Sequence, residues 1–128
     1  LWEPRQGNLV KILKGHSQPI STLAFSPDSK TLASASWDGN VKLWSTTNWR
    51  EKRALPLNNN RVHALLFSPD GKFLLTGSDT LHLWNPRTGK AITTLTGQRG
   101  ISAIAMDATG KTIGSASWDG EIRLWQKK

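Results

Sequence analysis

The 128-residue chain contains no cysteine. That excludes disulfides and cysteine-held zinc, and it is compatible with the reducing environment of a cytoplasmic protein. Long apolar runs are also missing: the longest span a few residues, far short of the roughly 18 to 20 a membrane-spanning helix needs, so no membrane partner is expected. No charged N-terminal region leads into an apolar run, so targeting information is either absent or cut away. There is no glycine-rich phosphate loop and no metal-ligand spacing, so neither a cofactor nor a metal is expected. Acidic residues are scarce, nine Asp and Glu against seventeen Lys and Arg, for a formal charge of +8. The basic residues are scattered from Arg5 to Lys128, with small groupings at Arg50, Lys52 and Arg53 and at Lys127 and Lys128. Such a charge gives salt-sensitive attraction to acidic partners, nucleic acid included. No dense basic stretch is interleaved with aromatics, so nucleic acid or another acidic ligand is the alternative partner rather than the leading one.

What the sequence does contain is a repeat. A Leu-Trp pair recurs as Leu1-Trp2, Leu43-Trp44, Leu83-Trp84 and Leu124-Trp125, placing the tryptophans 42, 40 and 41 residues apart. A period of about 40 to 45 residues marks a propeller blade or a comparable unit. Each unit has an apolar stretch, at 20–25, 62–67 and 101–106, in which neighbouring as well as alternate positions are apolar or small. These read as innermost strands covered on both faces. Turns of the Ser-Pro-Asp type follow at 26–30 and 68–72, with a weaker one at 107–111. Second strands at 31–36, 73–78 and 112–117 mix aliphatic, small and hydroxyl side chains. Asp38-Gly39 and Asp119-Gly120 then form tight hairpin turns; the middle repeat is two residues shorter here, which preserves strand facing. Third strands alternate up to Trp44, Trp84 and Trp125, and fourth strands run through 9–13, 50–55 and 90–95. With four short strands per repeat and no helical periodicity, the chain is all-β, one region with repeats at about 8–44, 49–84 and 90–125.

The combination Gly15-His16, 20–25, Ser26-Pro27-Asp28, 32–36, Asp38-Gly39 and 41–44 resembles the WD40 repeat family, and the likeness extends over essentially the whole chain. The phrasing of its strands resembles bacterial, particularly cyanobacterial-type, members. The resemblance implies four-stranded antiparallel blades packed radially as a β-propeller, here three blades of a partial ring. It also implies a hydrogen-bonded set of His, Ser or Thr, Asp and Trp inside each blade. The matching residues are His16, Ser34 or Ser36, Asp38 and Trp44 in the first repeat. The second offers Asn58, Thr76 or Ser78, Asp79 and Trp84, and the third Gln98, Ser115 or Ser117, Asp119 and Trp125. Imidazole donates and accepts, carboxylate accepts and indole donates, so such a set is self-satisfying. With histidine replaced in the second and third repeats, only the first network is expected to be complete.

His16, Ser34 and Asp38 also invite a hydrolase reading. Their structural explanation, and the decay of the set in the other repeats, argue against a nucleophile, so no catalytic residue is assigned. His82 aligns with Lys42 and Arg123 on the exposed side of the third strand, an ordinary surface or channel position. Binding residues are sought instead where the family resemblance places the rim: Trp37 and Trp118, just before the turn aspartates, and the first-strand approaches Gln18 and Ser21, Asn60 and His63, Arg99 and Ser102. The two indoles have two readings, binding anchors or lids folded over the neighbouring blade.

Leu1-Trp2 reads as the tail of an earlier blade's third strand, and the sequence stops just after another third strand. Rings of this family need about 4 to 8 blades. Completion is therefore expected from a longer propeller or from other copies, two giving six blades and three giving nine, with the strand at 9–13 donated as a clasp. The function the resemblance implies is a non-catalytic scaffold for protein or peptide partners.

Overall fold

A computed structural model of the chain describes residues 11–57, 61–95 and 100–126. Over these residues it is all-β, with eleven strands in chain order: β1 (Ile20–Phe25), β2 (Thr31–Ser36), β3 (Asn40–Ser45), β4 (Glu51–Pro56), β5 (Ala64–Phe67), β6 (Leu74–Gly77), β7 (Leu81–Asn85), β8 (Lys90–Leu95), β9 (Ile101–Met106), β10 (Thr112–Ser117) and β11 (Ile122–Gln126). They form three antiparallel meanders: β1-β2-β3-β4, β5-β6-β7-β8 and a third sheet of three described strands, β9-β10-β11. Sheets and sequence repeats are offset by one strand. Each repeat opens with the outer strand of the preceding sheet, so β4 begins the second repeat and β8 the third.

The lower-rim turns between first and second strands are built by their own side chains. Asp28 Oδ1 accepts from Ser26 Oγ at 2.6 Å and from the Lys30 N–H at 2.9 Å, and Asp70 does the same with Ser68 and Lys72. The third turn lacks the serine, and Asp107 itself takes the Lys111 and Thr112 N–H groups. Each turn needs one left-handed residue, supplied by Gly71, Gly110 and, at φ 63°, Ser29.

Register decides which side chains share a face, because directly paired residues point the same way. In the first blade, Leu23 pairs with Ser34 and Ser34 with Lys42, while Leu32 pairs with both Phe25 and Trp44. That face carries the tryptophan. The opposite face carries Ala33, Ala35, Val41, Leu43 and Leu55, which pack against Val62, Leu65, Phe67, Leu74 and Trp84 of the second blade. The tryptophan face of one blade thus meets the aliphatic face of its predecessor. The inner strands converge, β5 lying between β1 and β9. Close approach explains the glycine that ends β6: a Cβ on Gly77 would lie 2.5 Å from Ile101 Cγ2 of the third blade.

The same two faces end the stack. Phe25 on the first blade's tryptophan face is 60% exposed, and Leu124 on the third blade's aliphatic face is 73% exposed. Their counterparts within the stack, Phe67 and Leu43, are buried.

Candidate functional site

The first blade's polar network is continuous. Trp44 Nε1 donates to Ser34 Oγ at 2.9 Å, Ser34 Oγ lies 2.7 Å from His16 Nε2, and His16 Nδ1 lies 3.0 Å from Asp38 Oδ2. Every group is satisfied when Ser34 donates to Nε2 and Nδ1–H donates to the carboxylate. The His16 and Asp38 side chains are buried. Burial opposes ionisation of Asp38, but the Asn40 N–H, the His16 ring and the Ser17 N–H outweigh it and hold the carboxyl below its ordinary value. Of the two candidate serines, Ser34 is the bridge. Ser36 donates to the Gln18 carbonyl and accepts from the Asp38 N–H, tying the turn to the segment that leads into β1.

The other blades keep the indole-to-hydroxyl link: Trp84 Nε1 donates to Thr76 Oγ1 and Trp125 Nε1 to Ser115 Oγ, both at 3.0 Å. Asn58 and Gln98 lie outside the described residues. Asp79 is exposed, and the buried Ser78 Oγ has no hydrogen-bond partner among the described residues. Asp119 bonds locally to Ser117 Oγ and the Glu121 N–H, which lower its carboxyl. His82, read as a surface or channel position, lies on β7. It is half-buried and held between Thr80 Oγ1 at 2.9 Å and Thr94 Oγ1 at 3.0 Å, and burial lowers its pKa.

The upper rim, which carries the turns between second and third strands, gathers exposed aromatic side chains. Trp37 is 42% exposed and Trp118 69%. Arg61 from the lead-in to the second blade places its guanidinium carbon 4.6 Å from the centre of the Trp37 ring, within cation–π range. His63 packs its ring 4.7 Å from that of Trp118, tilted by 59°. Both indoles therefore reach the second blade, one from each side, while keeping much of their surface open. Backbone bonds fix both turns: the Trp37 N–H donates to the Pro19 carbonyl, and the Trp118 N–H to that of Gly100.

The other sequence candidates divide. Ser21 bonds to the Val62 and Ala35 carbonyls, linking the first two blades, and Ser102 bonds to the Ala116 carbonyl. Gln18 is exposed and gives its carbonyl to Ser36. Asn60 and Arg99 lie outside the described residues. Arg61 was not among the sequence candidates; its signal is a lone cation two positions before His63. No group of three or more His, Asp or Glu positioned to hold a metal occurs among the described residues. No helix there is long and apolar enough to cross a membrane.

The WD domain, G-beta repeat family model matches residues 7–45, 49–85 and 89–126, nearly the whole chain. The chain belongs to the WD-repeat family. Among its relatives, Periodic tryptophan protein 2 homolog of Mus musculus is 35% identical over 104 residues, covering 79% of this chain and 11% of that protein. Transcriptional corepressor LEUNIG_HOMOLOG of Arabidopsis thaliana is 33% identical over 119 residues, 91% of this chain and 15% of the relative. These relatives are eukaryotic, and the bacterial, cyanobacterial-type character expected from the sequence finds no support in them. Among solved structures, that of U3-55K superposes with a TM-score of 0.87 at 25% identity, covering 91% of this chain and 38% of the other. The chain thus spans a small part of the curated relatives' length. Within this WD-repeat chain the first blade carries a continuous hydrogen-bonded set from Trp44 to Asp38, and the upper rim carries two exposed tryptophans.

Proposed function

We propose that this WD-repeat chain is a non-catalytic scaffold whose upper rim binds a protein or peptide partner. The observation that carries this reading is the row formed by Trp37, Arg61, His63 and Trp118, in which two open indoles are held in place by a cation and an imidazole from the blade between them. Aromatic and arginine side chains dominate binding energy at protein interfaces, and rotamers fixed beforehand lower the entropy lost on binding. Gln18 lies beside this row; Asn60, Ser102 and Arg99 complete the proposed rim by their place in the repeat. In the polar sets His16, Asn58 and Gln98 with Asp38, Asp79 and Asp119 are assigned a structural role, supporting the turns that display the tryptophans. The role rests on the continuous network of the first blade.

The three repeats act as one unit within this reading, in a cytoplasmic setting. The exposed tryptophan face of the first blade and the exposed aliphatic face of the third repeat the chemistry of the interfaces inside the stack. Further blades, from a longer propeller or from two or three associating copies, would cover them. Light scattering tests this: the isolated chain is expected to associate, and a monodisperse monomer contradicts it. Nucleic acid is the second reading, favoured by the +8 charge. Salt separates the two, since phosphate contacts weaken steeply with salt while indole-dependent binding persists.

A further inference from the structure

The opposite, lower rim holds a cleft of about 700 Å³ between the first and second blades. Its floor is the buried pair Leu43 and Phe67, and prolines 27 and 86 stand at its walls. Four cationic side chains line it: Lys30, Lys52, Arg53 and Arg87. Against them stand two carboxylates, Asp28 and Asp70, each with one oxygen already engaged by its own turn.

Arg53 is the built part of this site. It rises from β4 of the first blade and crosses to the turn between β7 and β8 of the second, where Nη1 donates to the Thr88 carbonyl at 2.9 Å and Nη2 to that of Arg87 at 3.0 Å. Its aliphatic stem lies on Gly89, where a Cβ would stand 2.6 Å from Arg53 Cδ, so the space it occupies exists only because residue 89 has no side chain. Both acceptors are neutral, and neither Arg53 nor Arg87 forms an ion pair among the described residues. Lys52 reaches Thr31 Oγ1 at 3.0 Å, also a neutral partner. A guanidinium held by neutral carbonyls keeps its charge un-neutralised, with its remaining N–H groups left for an incoming carboxylate, and the orientation is set before binding.

We propose that this interblade cleft docks an acidic peptide segment of a protein partner. Clustered cations select negative charge, and the apolar floor and proline walls suit the side chains between the acidic residues. The free oxygens of Asp28 and Asp70 can accept peptide N–H groups. A nucleic-acid strand fits less well: the carboxylates repel a continuous phosphate chain, and the cleft has no exposed aromatic on which a base could stack. The proposal rests on the scaffold reading, but it uses the rim away from Trp37 and Trp118, so the two can fail separately.

The test is fluorescence anisotropy of a labelled octaglutamate peptide on the whole chain. Lys30→Glu with Arg87→Glu, side chains without a hydrogen bond among the described residues, should weaken binding about tenfold or more, equivalent to at least about 1.4 kcal/mol. Lys14→Glu with Lys111→Glu changes net charge equally outside the cleft and should change affinity less than about twofold. Trp37→Ser with Trp118→Ser should leave octaglutamate binding intact. Equal losses in the two charge-reversal pairs would show diffuse attraction and overturn the proposal. So would an oligouridylate that binds more tightly than octaglutamate and displaces it, which would assign the cleft to nucleic acid. Chemical-shift mapping on the unaltered chain removes any dependence on variant folding: shifts should centre on Lys30, Arg53 and Arg87, and shifts confined to other surfaces refute the site.

Discussion

The turns at 36–39 and 117–120 have the same sequence, Ser-Trp-Asp-Gly, and are fastened differently. In the first, Asp38 reaches across to His16 and the Ser17 N–H, joining the turn to the lead-in of its own blade. In the second, Asp119 bonds, among the described residues, within the turn region, to Ser117 and the Glu121 N–H. The tryptophans diverge accordingly. Trp37 sits above a buried network with Arg61 over its ring, while Trp118 is more open and leans on His63. Four identical residues therefore do not determine their own contacts; in the first turn a histidine twenty-two positions earlier makes the aspartate a cross-link.

Removing that histidine breaks the comparison most directly. His16→Ala leaves Ser34 and Asp38 without their buried partner and should cost about 1 to 3 kcal/mol in a denaturant titration. An unchanged melting curve would show that the cross-link carries no stability.

Acid should act next. The carboxyls of Asp38 and the turn residues Asp28, Asp70, Asp107 and Asp119 are all lowered from their ordinary 3.8. A carboxylate lowered by folding adds stability above its unfolded value, and that stability is lost as pH falls through the lower folded value. Unfolding free energy should therefore be level toward neutral pH for these groups and fall below about pH 4. His82, lowered by burial, works in the same direction in another window: its protonation favours the unfolded chain as pH drops below its ordinary 6.5. In His16→Ala the acid-dependent part of the curve should flatten, and an identical slope would detach Asp38 from it.

A smaller effect of opposite sign comes from the lower turns. Ser29 holds φ at 63° where the second and third blades place Gly71 and Gly110. Ser29→Gly should stabilise by about 0.5 to 1 kcal/mol by relieving left-handed strain. A loss of stability would show that the serine side chain has a role the backbone does not reveal. Smallest of all is Asp119→Ala, whose denaturation midpoint should move far less than that of Asp38→Ala; equal shifts would erase the distinction between the two turns.

Much of this was legible in the sequence. The Leu-Trp period, the Ser-Pro-Asp turns and the alternation leading to Trp44 and Trp84 locate the eleven strands from β1 to β11 to within a residue or two, because strand facing and turn chemistry are local; of the strand read at 9–13, residues 11–13 form none and the rest lies outside the described residues. Choosing between Ser34 and Ser36 was not possible, since residues two apart share a face and only the cross-strand register brings Ser34 to the indole. Arg61 escaped because its lead-in segment is irregular and has no period to read. Arg53 and Arg87 are 34 positions apart, and the sequence grouped Arg53 with Arg50 and Lys52 instead. Only the packing of one blade on the next brings the two arginines to the same cleft.

The central claim is that the upper-rim tryptophans bind. Peptides selected from a displayed library on the unaltered chain should be measured by calorimetry against Trp37→Ser with Trp118→Ser, alongside the melting temperature of each protein. The account predicts that affinity falls by about tenfold or more, at least about 1.4 kcal/mol, while the melting temperature barely moves. Retained affinity would contradict it, and so would a loss of affinity that merely follows a loss of fold.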